Sequence, residues 1–252
     1  MYETVKASIN LHAVLRNMED LCQLDDASAE AVGDRYISIR FSVPEIDRLV
    51  LTFRNQSCQA GRGDELPYNM NLRFSSPEHL NLMVEGVKNP IPTKGFRHIG
   101  FLKDTFTFLA GRLESYLKPD HEKAATDSEY LKRSTILTAY AALYAVPEIA
   151  RYDETGRKLA SKIEDGIINV TVGDDFGLHL IAEKGRLRTM KGRSANARTA
   201  MMFDTFETAF GLLNGKLDSY TCIGLGLLAI RGRVSMIDNF NKLLGMVPHY
   251  LS

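Results

Sequence analysis

The sequence predicts an α+β protein built from two similar halves, and three observations support this. Short apolar stretches alternate with period two, as half-buried antiparallel strands do, in residues 36–43, 49–53 and 69–74. Capped helical patterns follow the strands, as at Ser75–Glu78. The same order of elements returns 129 positions further along the chain. We therefore expect two copies of one strand-and-helix unit.

The first half is expected to begin and end with helix. Val5–Cys22 carries a wide apolar stripe typical of a buried helix face. The helix that starts at Ser75–Glu78 should break at Pro90 and Pro92. Gly95–Lys103 is predicted to be a further strand because its apolar residues alternate, and Asp104 is predicted to cap the last helix.

The offset of 129 aligns turn glycines, caps and core positions without a gap over residues 49–102. Each identity falls where the predicted elements also coincide, which is how a duplicated fold should look. Seven positions are identical: Leu49 and Leu178, Leu51 and Leu180, Gly63 and Gly192, Phe74 and Phe203, Glu78 and Glu207, Gly86 and Gly215, and Gly95 and Gly224.

The spacing sets the expected domains. We predict a first repeat with its N-terminal helix over residues 1–118, a polar linker over 119–127, and a second repeat over 128–252. In the second repeat, helical patterns precede the first strand, as they do in the first repeat.

Composition narrows the function classes. The 252 residues include 31 Lys and Arg against 31 Asp and Glu, so the chain lacks the surplus basic charge typical of a nucleic-acid binder. Three widely spaced cysteines make a disulfide framework or zinc site improbable. The amino terminus has neither the basic start nor the apolar stretch of a secretion signal. We expect a cytoplasmic protein that binds no nucleic acid.

Residues 196–244 carry a family resemblance. A predicted strand leads into a helix and then the loop Leu212-Leu213-Asn214-Gly215-Lys216-Leu217-Asp218, and a later strand ends in Ile230-Arg231-Gly232 before an apolar final helix. This order resembles the sterol carrier protein two family, and the likeness covers residues 154–248. The first copy resembles the family only through the repeat.

The resemblance implies a curved, mostly antiparallel sheet of about five strands in each copy, covered by helices. It also implies an apolar cavity for a fatty acyl chain, an acyl-CoA or a sterol-like molecule, which we assign to the second copy. Members of the family are carriers, so no catalytic residue is transferred. The chain ends in His249-Tyr250-Leu251-Ser252 and lacks the Ser-Lys-Leu type peroxisomal signal.

A carrier needs concave apolar surface and few polar anchors, because an acyl chain gains roughly 0.8 kcal/mol for each methylene it buries. Large apolar residues crowd into residues 203–228, and we predict that they line the ligand site. Ordinary core packing is the alternative for each of them. The predicted ligand-binding residues are Phe203, Phe206, Phe210, Leu213, Ile223, Leu225, Leu227 and Leu228.

One basic stretch is the other candidate. Residues 184–198 contain six cations and no acid. We predict that Arg186, Arg188 and Lys191 meet an anionic headgroup, a CoA phosphate or transiently a membrane surface. A solvated strand face is the alternative, since residues two apart share one side of a strand.

The sequence contains no motif typical of a catalytic nucleophile or a metal site. The six histidines show no His-x-x-x-His spacing, and no Gly-x-Ser-x-Gly nucleophile elbow occurs. We predict no metal, no cofactor and no enzymatic activity. Three hypotheses stay open: a lipid carrier, which we favour, an interaction module with filled cores, and an acyl-handling enzyme. The sequence does not indicate an oligomeric state.

Overall fold

Two five-stranded sheets, one in each half of the chain, form the framework of the protein. A computed structural model describes residues 1–251 and divides the chain into two compact units, 1–119 and 120–250. Each unit packs helices against its sheet, so the predicted α+β class is confirmed. No helix among the described residues is long and apolar enough to cross a membrane.

The sheet of the first unit has the order β3-β2-β1-β4-β5. Strand β1 is central: it runs antiparallel to β2 and parallel to β4, and the other neighbours pair antiparallel. The sheet is therefore mixed, with one parallel pair at its centre. The strands are β1 Tyr36–Ser42, β2 Leu49–Arg54, β3 Ser57–Arg62, β4 Met70–Arg73 and β5 Ile91–Lys94.

Seven α-helical segments end at or before residue 126, six of them in the first unit. A π-helical turn, Asn10–Val14, and a short 3-10 turn link the first two into one N-terminal helical stretch. A second π-helical turn, Leu102–Phe106, links the fifth and sixth. The helices are α1 Tyr2–Ile9, α2 Met18–Leu24, α3 Asp26–Val32, α4 Pro77–Val84, α5 Ile99–Phe101, α6 Thr107–Leu117 and α7 His121–Thr126.

Aromatic rings fill the core of the first unit. Phe41 of β1 stacks with Phe74 at 6.5 Å between ring centroids and packs against Phe106 at 6.0 Å. Phe53 of β2 lies 5.1 Å from Phe101. All five rings are buried, so the sequence alternation in β1 and β2 sets which face meets the helices.

Two predictions for the first unit are wrong. Strand β3 was not expected, because its sequence, Ser-Cys-Gln-Ala-Gly-Arg, lacks apolar alternation; a tight turn at Asn55 and Gln56, both with positive φ, pairs it with β2. Gly95–Lys103 is not a strand. Gly95 ends the edge strand with φ of 80°, and the chain turns helical from Phe96, well before Asp104.

The sheet of the second unit has the order β10-β9-β6-β7-β8. Read from β8, this is the strand order of the first sheet, with the same directions at every pairing. The central parallel pair here is β6 with β9. The strands are β6 Gly166–Val172, β7 Phe176–Glu183, β8 Arg186–Lys191, β9 Thr199–Phe203 and β10 Leu228–Arg231.

Six further helices follow α7. The longest, α8, contains Pro147 in its interior. The stretch 119–127, predicted to be a linker, contains α7. These helices are α8 Ser128–Tyr152, α9 Glu154–Ala160, α10 Phe206–Leu213, α11 Ser219–Gly224, α12 Val234–Leu244 and α13 Val247–Leu251.

Strand registers in the two units correspond at an offset of 129. Ile39 pairs with Leu51 and Met70, and Ile168 pairs with Leu180 and Thr199 in the same way. Helices α4 and α10 start and end 129 residues apart, each capped by a hydroxyl side chain one residue before its start. Up to Gly86 and Gly215, both with positive φ, the sequence alignment agrees with these registers.

Beyond those two glycines, the gap-free alignment is wrong. Leu72 pairs with Pro92, 20 residues later, whereas Met201 pairs with Ile230, 29 residues later. The second unit therefore has nine more residues in this connection, and they include α11. A register shift between Asn71 and Leu72 in the first sheet takes up one residue, so that Lys94 corresponds to Arg231 and Gly95 is structurally equivalent to Gly232 and not to Gly224.

The two equivalent glycines share an environment that only glycine fits. Both have positive φ, and a Cβ on Gly95 would lie 2.8 Å from the Met70 Cα, as one on Gly232 would from the Thr199 Cα. Met70 and Thr199 are the first residues of β4 and β9. The close approach therefore packs the chain that leaves the edge strand against the start of its neighbour.

Candidate functional site

The eight predicted ligand-binding residues separate into core and surface. Phe203, Phe210 and Leu228 are buried, with 7%, 7% and 2% of their surface exposed. Phe206, Leu213 and Leu227 are half-buried. Phe203 on β9 and Leu228 on β10 are register partners. Phe210 lies on α10, which connects to β9 and precedes β10 in the chain. The structure thus brings six of the eight to the α10 and β10 side of the second unit.

The remaining two predicted residues lie on the protein surface. Ile223 is 42% exposed and Leu225 is 69% exposed. Tyr220, which sequence reasoning missed, is 86% exposed. Tyr220 and Ile223 are three residues apart on α11 and so share one helix face, and Leu225 follows the helix end. We call Tyr220, Ile223 and Leu225 the α11 apolar cluster.

Helix α11 is fixed at its start and on its inner side. Asp218 caps it by accepting a hydrogen bond from the Thr221 amide at 2.9 Å, and the Thr221 hydroxyl donates to the same carboxylate. These bonds lower the pKa of Asp218. Cys222, between the two exposed cluster residues of the helix, is fully buried. The buried thiol on one side leaves the apolar face on the other in solvent.

The chain reaches α11 through a tight turn after α10. The Lys216 and Leu217 amides both donate to the Gly211 carbonyl, at 2.8 and 3.0 Å, and Gly215 has φ of 68°. A Cβ on Gly211 would lie 2.7 Å from the Leu217 Cδ1. The missing side chain at Gly211 thus makes room for Leu217, which folds back onto α10.

Exposed apolar residues concentrate around the edge strand in both units, β5 in the first and β10 in the second. Of the 14 large apolar residues exposed within 1–251, nine lie between the end of α4 or α10 and the helical turn after the edge strand. The same topological segment is therefore apolar and solvent-exposed twice. These nine are Val84, Val87, Ile91, Phe96, Leu217, Tyr220, Ile223, Leu225 and Val234.

The predicted headgroup residues lie at the opposite edge of the second sheet. They belong to β8, whereas the apolar residues flank β10, and four strand steps of about 4.8 Å put these edges roughly 19 Å apart. Arg186 and Arg188 point to solvent. Lys191 lies on the other face of the strand, 5.3 Å above the Tyr140 ring of α8. The structure therefore does not bring the three cations together with the α11 apolar cluster.

A polar recess of about 210 Å³ lies in the first unit, and sequence reasoning missed it. Arg35, Arg97, His98 and Asp104 line it, with Phe101 as part of its apolar wall. Arg35 donates to the Thr105 hydroxyl at 2.6 Å, and the Arg97 Nε donates to the His98 Nε2 at 3.1 Å. Burial, and then the nearby Arg97 charge, lower the pKa of His98. The recess combines three basic side chains with one carboxylate.

Asp25 is a buried carboxylate at the start of α3. It accepts hydrogen bonds from the Ser28 amide at 3.1 Å, the Arg112 Nε at 3.1 Å and the Tyr116 hydroxyl at 2.9 Å. Burial favours the protonated form, but these bonds, that from Arg112 above all, outweigh it and lower the pKa of Asp25 to about 2. The charged carboxylate therefore ties α3 to α6.

The buried Cys22 thiol lies close to the same charge. Burial, and then the Asp25 charge, raise its pKa to about 12. At neutral pH the sulfur stays protonated and a poor nucleophile. Within residues 1–251, no three His, Cys, Asp or Glu side chains come together as metal ligands.

Comparison with known proteins gives similarity at the level of solved structures. No protein-family model and no curated protein matches the chain. It is similar to the sterol carrier protein domain 2 of Helicoverpa armigera, with 15% identity over 44% of this chain and 89% of that domain and a TM-score of 0.36. It is also similar to the ubiquinone synthesis protein UbiJ-SCP2, with 16% identity, 44% and 95% coverage and a TM-score of 0.35.

A larger enzyme matches over less of its own length. The sec-alkylsulfatase Pisa1 from Pseudomonas sp. shows 15% identity over 59% of this chain but only 28% of the enzyme, with a TM-score of 0.26. At such identities the similarity concerns the fold alone. The function is therefore argued from the residues of the site.

Proposed function

We propose that this protein binds and carries an apolar lipid, and that the α10 and β10 side of the second unit holds the ligand. The observation that carries the proposal is the α11 apolar cluster, whose Tyr220, Ile223 and Leu225 are 86%, 42% and 69% exposed. Phe206 and Leu213, which precede this cluster in the chain, and Leu227, which follows it, are half-buried. An exposed apolar cluster of this kind is typical of a binding site.

The energetics favour a long, flexible apolar guest. Fully burying a Leu or Ile side chain yields about 2 kcal/mol, so covering the exposed fractions of Ile223 and Leu225 contributes about 2 kcal/mol in all. The guest itself gains about 0.8 kcal/mol for each methylene it buries. A fatty acyl chain, alone or on coenzyme A, or a sterol-like molecule meets this requirement, and the proposed role is carriage without catalysis.

We also propose that the two units arose as tandem sterol-carrier-like copies. The identical strand order, pairing directions and 129-residue register support this origin. Cys22, Cys58 and Cys222 are all buried thiols, which suits a reducing compartment and supports the cytoplasm as the location.

Binding of a fluorescent fatty acid, cis-parinaric acid, tests the proposal. We expect saturable binding by the full chain and a dissociation constant about thirtyfold higher for the Ile223→Ser, Leu225→Ser double variant. Met190→Ser is the matched control, because Met190 is also 42% exposed but lies on β8 at the other edge of the sheet. This control should bind like the parent protein.

Two results would refute the proposal. Absence of saturable binding by the parent protein would favour the interaction module with filled cores, for which the burial of Phe203, Phe210 and Leu228 is the supporting observation. An equal loss of binding in Met190→Ser and in the double variant would place the ligand elsewhere. Mass spectrometry of a solvent extract identifies any lipid that co-purifies.

A further inference from the structure

We infer that residues 86–103 of the first unit dock the protein onto an anionic membrane surface. We call these residues the basic–apolar segment. They include β5, the edge strand of the first sheet, and the helical turn after it. The inference concerns the first unit and does not rest on the lipid site proposed in the second.

Charge is the first observation. The segment contains Lys88, Lys94, Arg97 and Lys103 and no Asp or Glu, in a chain whose net charge is zero. Acidic residues flank it on both sides. The one before it, Glu85, forms an ion pair with Lys6 at 2.8 Å, and the one after it, Asp104, lines the polar recess. The basic charge is thus local to this part of the surface.

Exposed apolar side chains lie among these cations. Val87 is 70% exposed, Ile91 48% and Phe96 62%. Each is within three residues of a lysine or arginine of the segment. Apolar side chains enter the boundary of headgroups and acyl chains while neighbouring cations hold lipid phosphates, which is how peripheral segments bind anionic membranes.

The fold presents these residues together. Strand β5 runs about 10 Å from Ile91 to Lys94 along the sheet edge, and within residues 1–251 it pairs with β4 alone. Gly95, pressed against the start of β4, turns the chain so that Phe96 follows the strand directly. Anchoring at Gly95 holds the exposed ring in place, so insertion costs little ordering of the chain.

The polar recess adds a place for a phosphate group. Arg97 and His98 belong to the segment and line the recess together with Arg35. Guanidinium groups bind phosphate oxygens through pairs of N–H donors. The Asp104 carboxylate in the same recess repels an anion, so a bound phosphate depends on the two guanidinium groups, those of Arg35 and Arg97.

The equivalent segment of the second unit differs in charge. It carries Lys216, Arg231 and Arg233 but also Asp218, and Arg233 is ion-paired with Glu164. The carboxylate of Asp218 and the ion pair of Arg233 with Glu164 leave less net basic charge beside its exposed apolar residues. The two units therefore have different roles in this proposal. The first unit docks on the membrane, and the second unit carries the proposed lipid site.

Vesicle co-sedimentation of the full chain tests the inference. Phosphatidylcholine vesicles containing phosphatidylserine should bind the protein on the order of a hundredfold more tightly than phosphatidylcholine alone, from about fivefold for each of Lys88, Arg97 and Lys103. Lys94 is left out of this product because its ammonium group donates to the Tyr68 carbonyl at 3.1 Å. Raising the salt concentration should weaken this binding. Phe96→Ser should reduce it about tenfold, and Lys88→Gln with Arg97→Gln about twentyfold.

Matched controls come from exposed residues outside the segment. Phe108→Ser changes a ring that is 44% exposed on α6, and Lys158→Gln with Lys242→Gln removes two exposed cations from α9 and α12. Both controls should bind vesicles like the parent protein. Circular dichroism of Phe96→Ser and its retained binding of cis-parinaric acid in vesicle-free solution show that the variant is folded.

Three outcomes would overturn the inference. They are equal binding to both kinds of vesicle, an equal loss in the control variants, and a dimer that depends on Phe96 in the absence of vesicles, which would make a second copy the occupant. Failure of cis-parinaric acid binding with vesicle binding intact would instead refute only the lipid site of the second unit.

Discussion

Replacing Asp25 with Asn tests the buried ionic cluster of the first unit. The substitution removes the charge that Arg112 and Tyr116 hold between α3 and α6 while keeping the size of the side chain. Lowering a carboxyl pKa from 3.8 to about 2 corresponds to about 2.4 kcal/mol of stability near neutral pH. Because the Arg112 side chain is 33% exposed, solvent screening reduces this to about 1–2 kcal/mol.

The sign of the pH dependence follows from the lowered pKa. The unfolded chain takes up a proton at Asp25 near pH 3.8 and the folded chain only near pH 2. The stabilisation is therefore complete above about pH 5 and is lost as the pH falls toward about 2. The difference in unfolding free energy between the parent and Asp25→Asn should shrink by roughly half between about pH 7 and about pH 3.

Urea unfolding followed by circular dichroism measures this difference at each pH. Asp47→Asn is the control, because Asp47 pairs with Arg62 at 3.0 Å with both side chains partly exposed, and such pairs contribute less than about 1 kcal/mol. A loss of stability in Asp25→Asn that stays constant from neutral to acid pH would refute the charged role of Asp25. So would a loss no larger than that of the control.

Two further predictions concern backbone room and thiol chemistry. Gly95→Ala and Gly232→Ala should each lower the unfolding free energy by about 2 kcal/mol or more, because the new Cβ would meet backbone atoms and the residue would keep a positive φ. Thermal unfolding measures this loss. Gly100→Ala is the control and should be close to neutral, because the space at its Cβ is open. Cys22, with its pKa raised to about 12, should react with a disulfide reagent at neutral pH only after urea unfolds the protein, and fast labelling of the native Cys22 would contradict its burial.

Much of the fold was predictable because side-chain periodicity reports which face of an element is buried. Ile37, Ile39 and Phe41 alternate and are buried on β1, as expected. Strand β3 escaped prediction because its pairing is imposed by the turn before it and not by its own apolar residues. The gap-free alignment failed at Gly95 because a chance identity with Gly224 masked the insertion that contains α11.

The candidate site was harder to predict because composition does not report exposure. Phe210 and Leu225 are both large and apolar, yet one is core and the other is 69% exposed. Only the inward anchoring of Cys222 decides which face of the short helix meets solvent. Likewise, placing Arg186 at the sheet edge away from β10 required knowledge of the strand order, which a single sequence does not state.

The nine-residue insertion before β10 leaves that strand antiparallel to β9, as its counterpart β5 is to β4, although the register shifts between Asn71 and Leu72 in the first unit only. This junction is therefore a natural splice point, at which the scaffold accepts connections of different length and keeps the order and direction of its strands. Exchanging the two connections between the halves would yield chimaeras in which each surface chemistry is carried by the other framework.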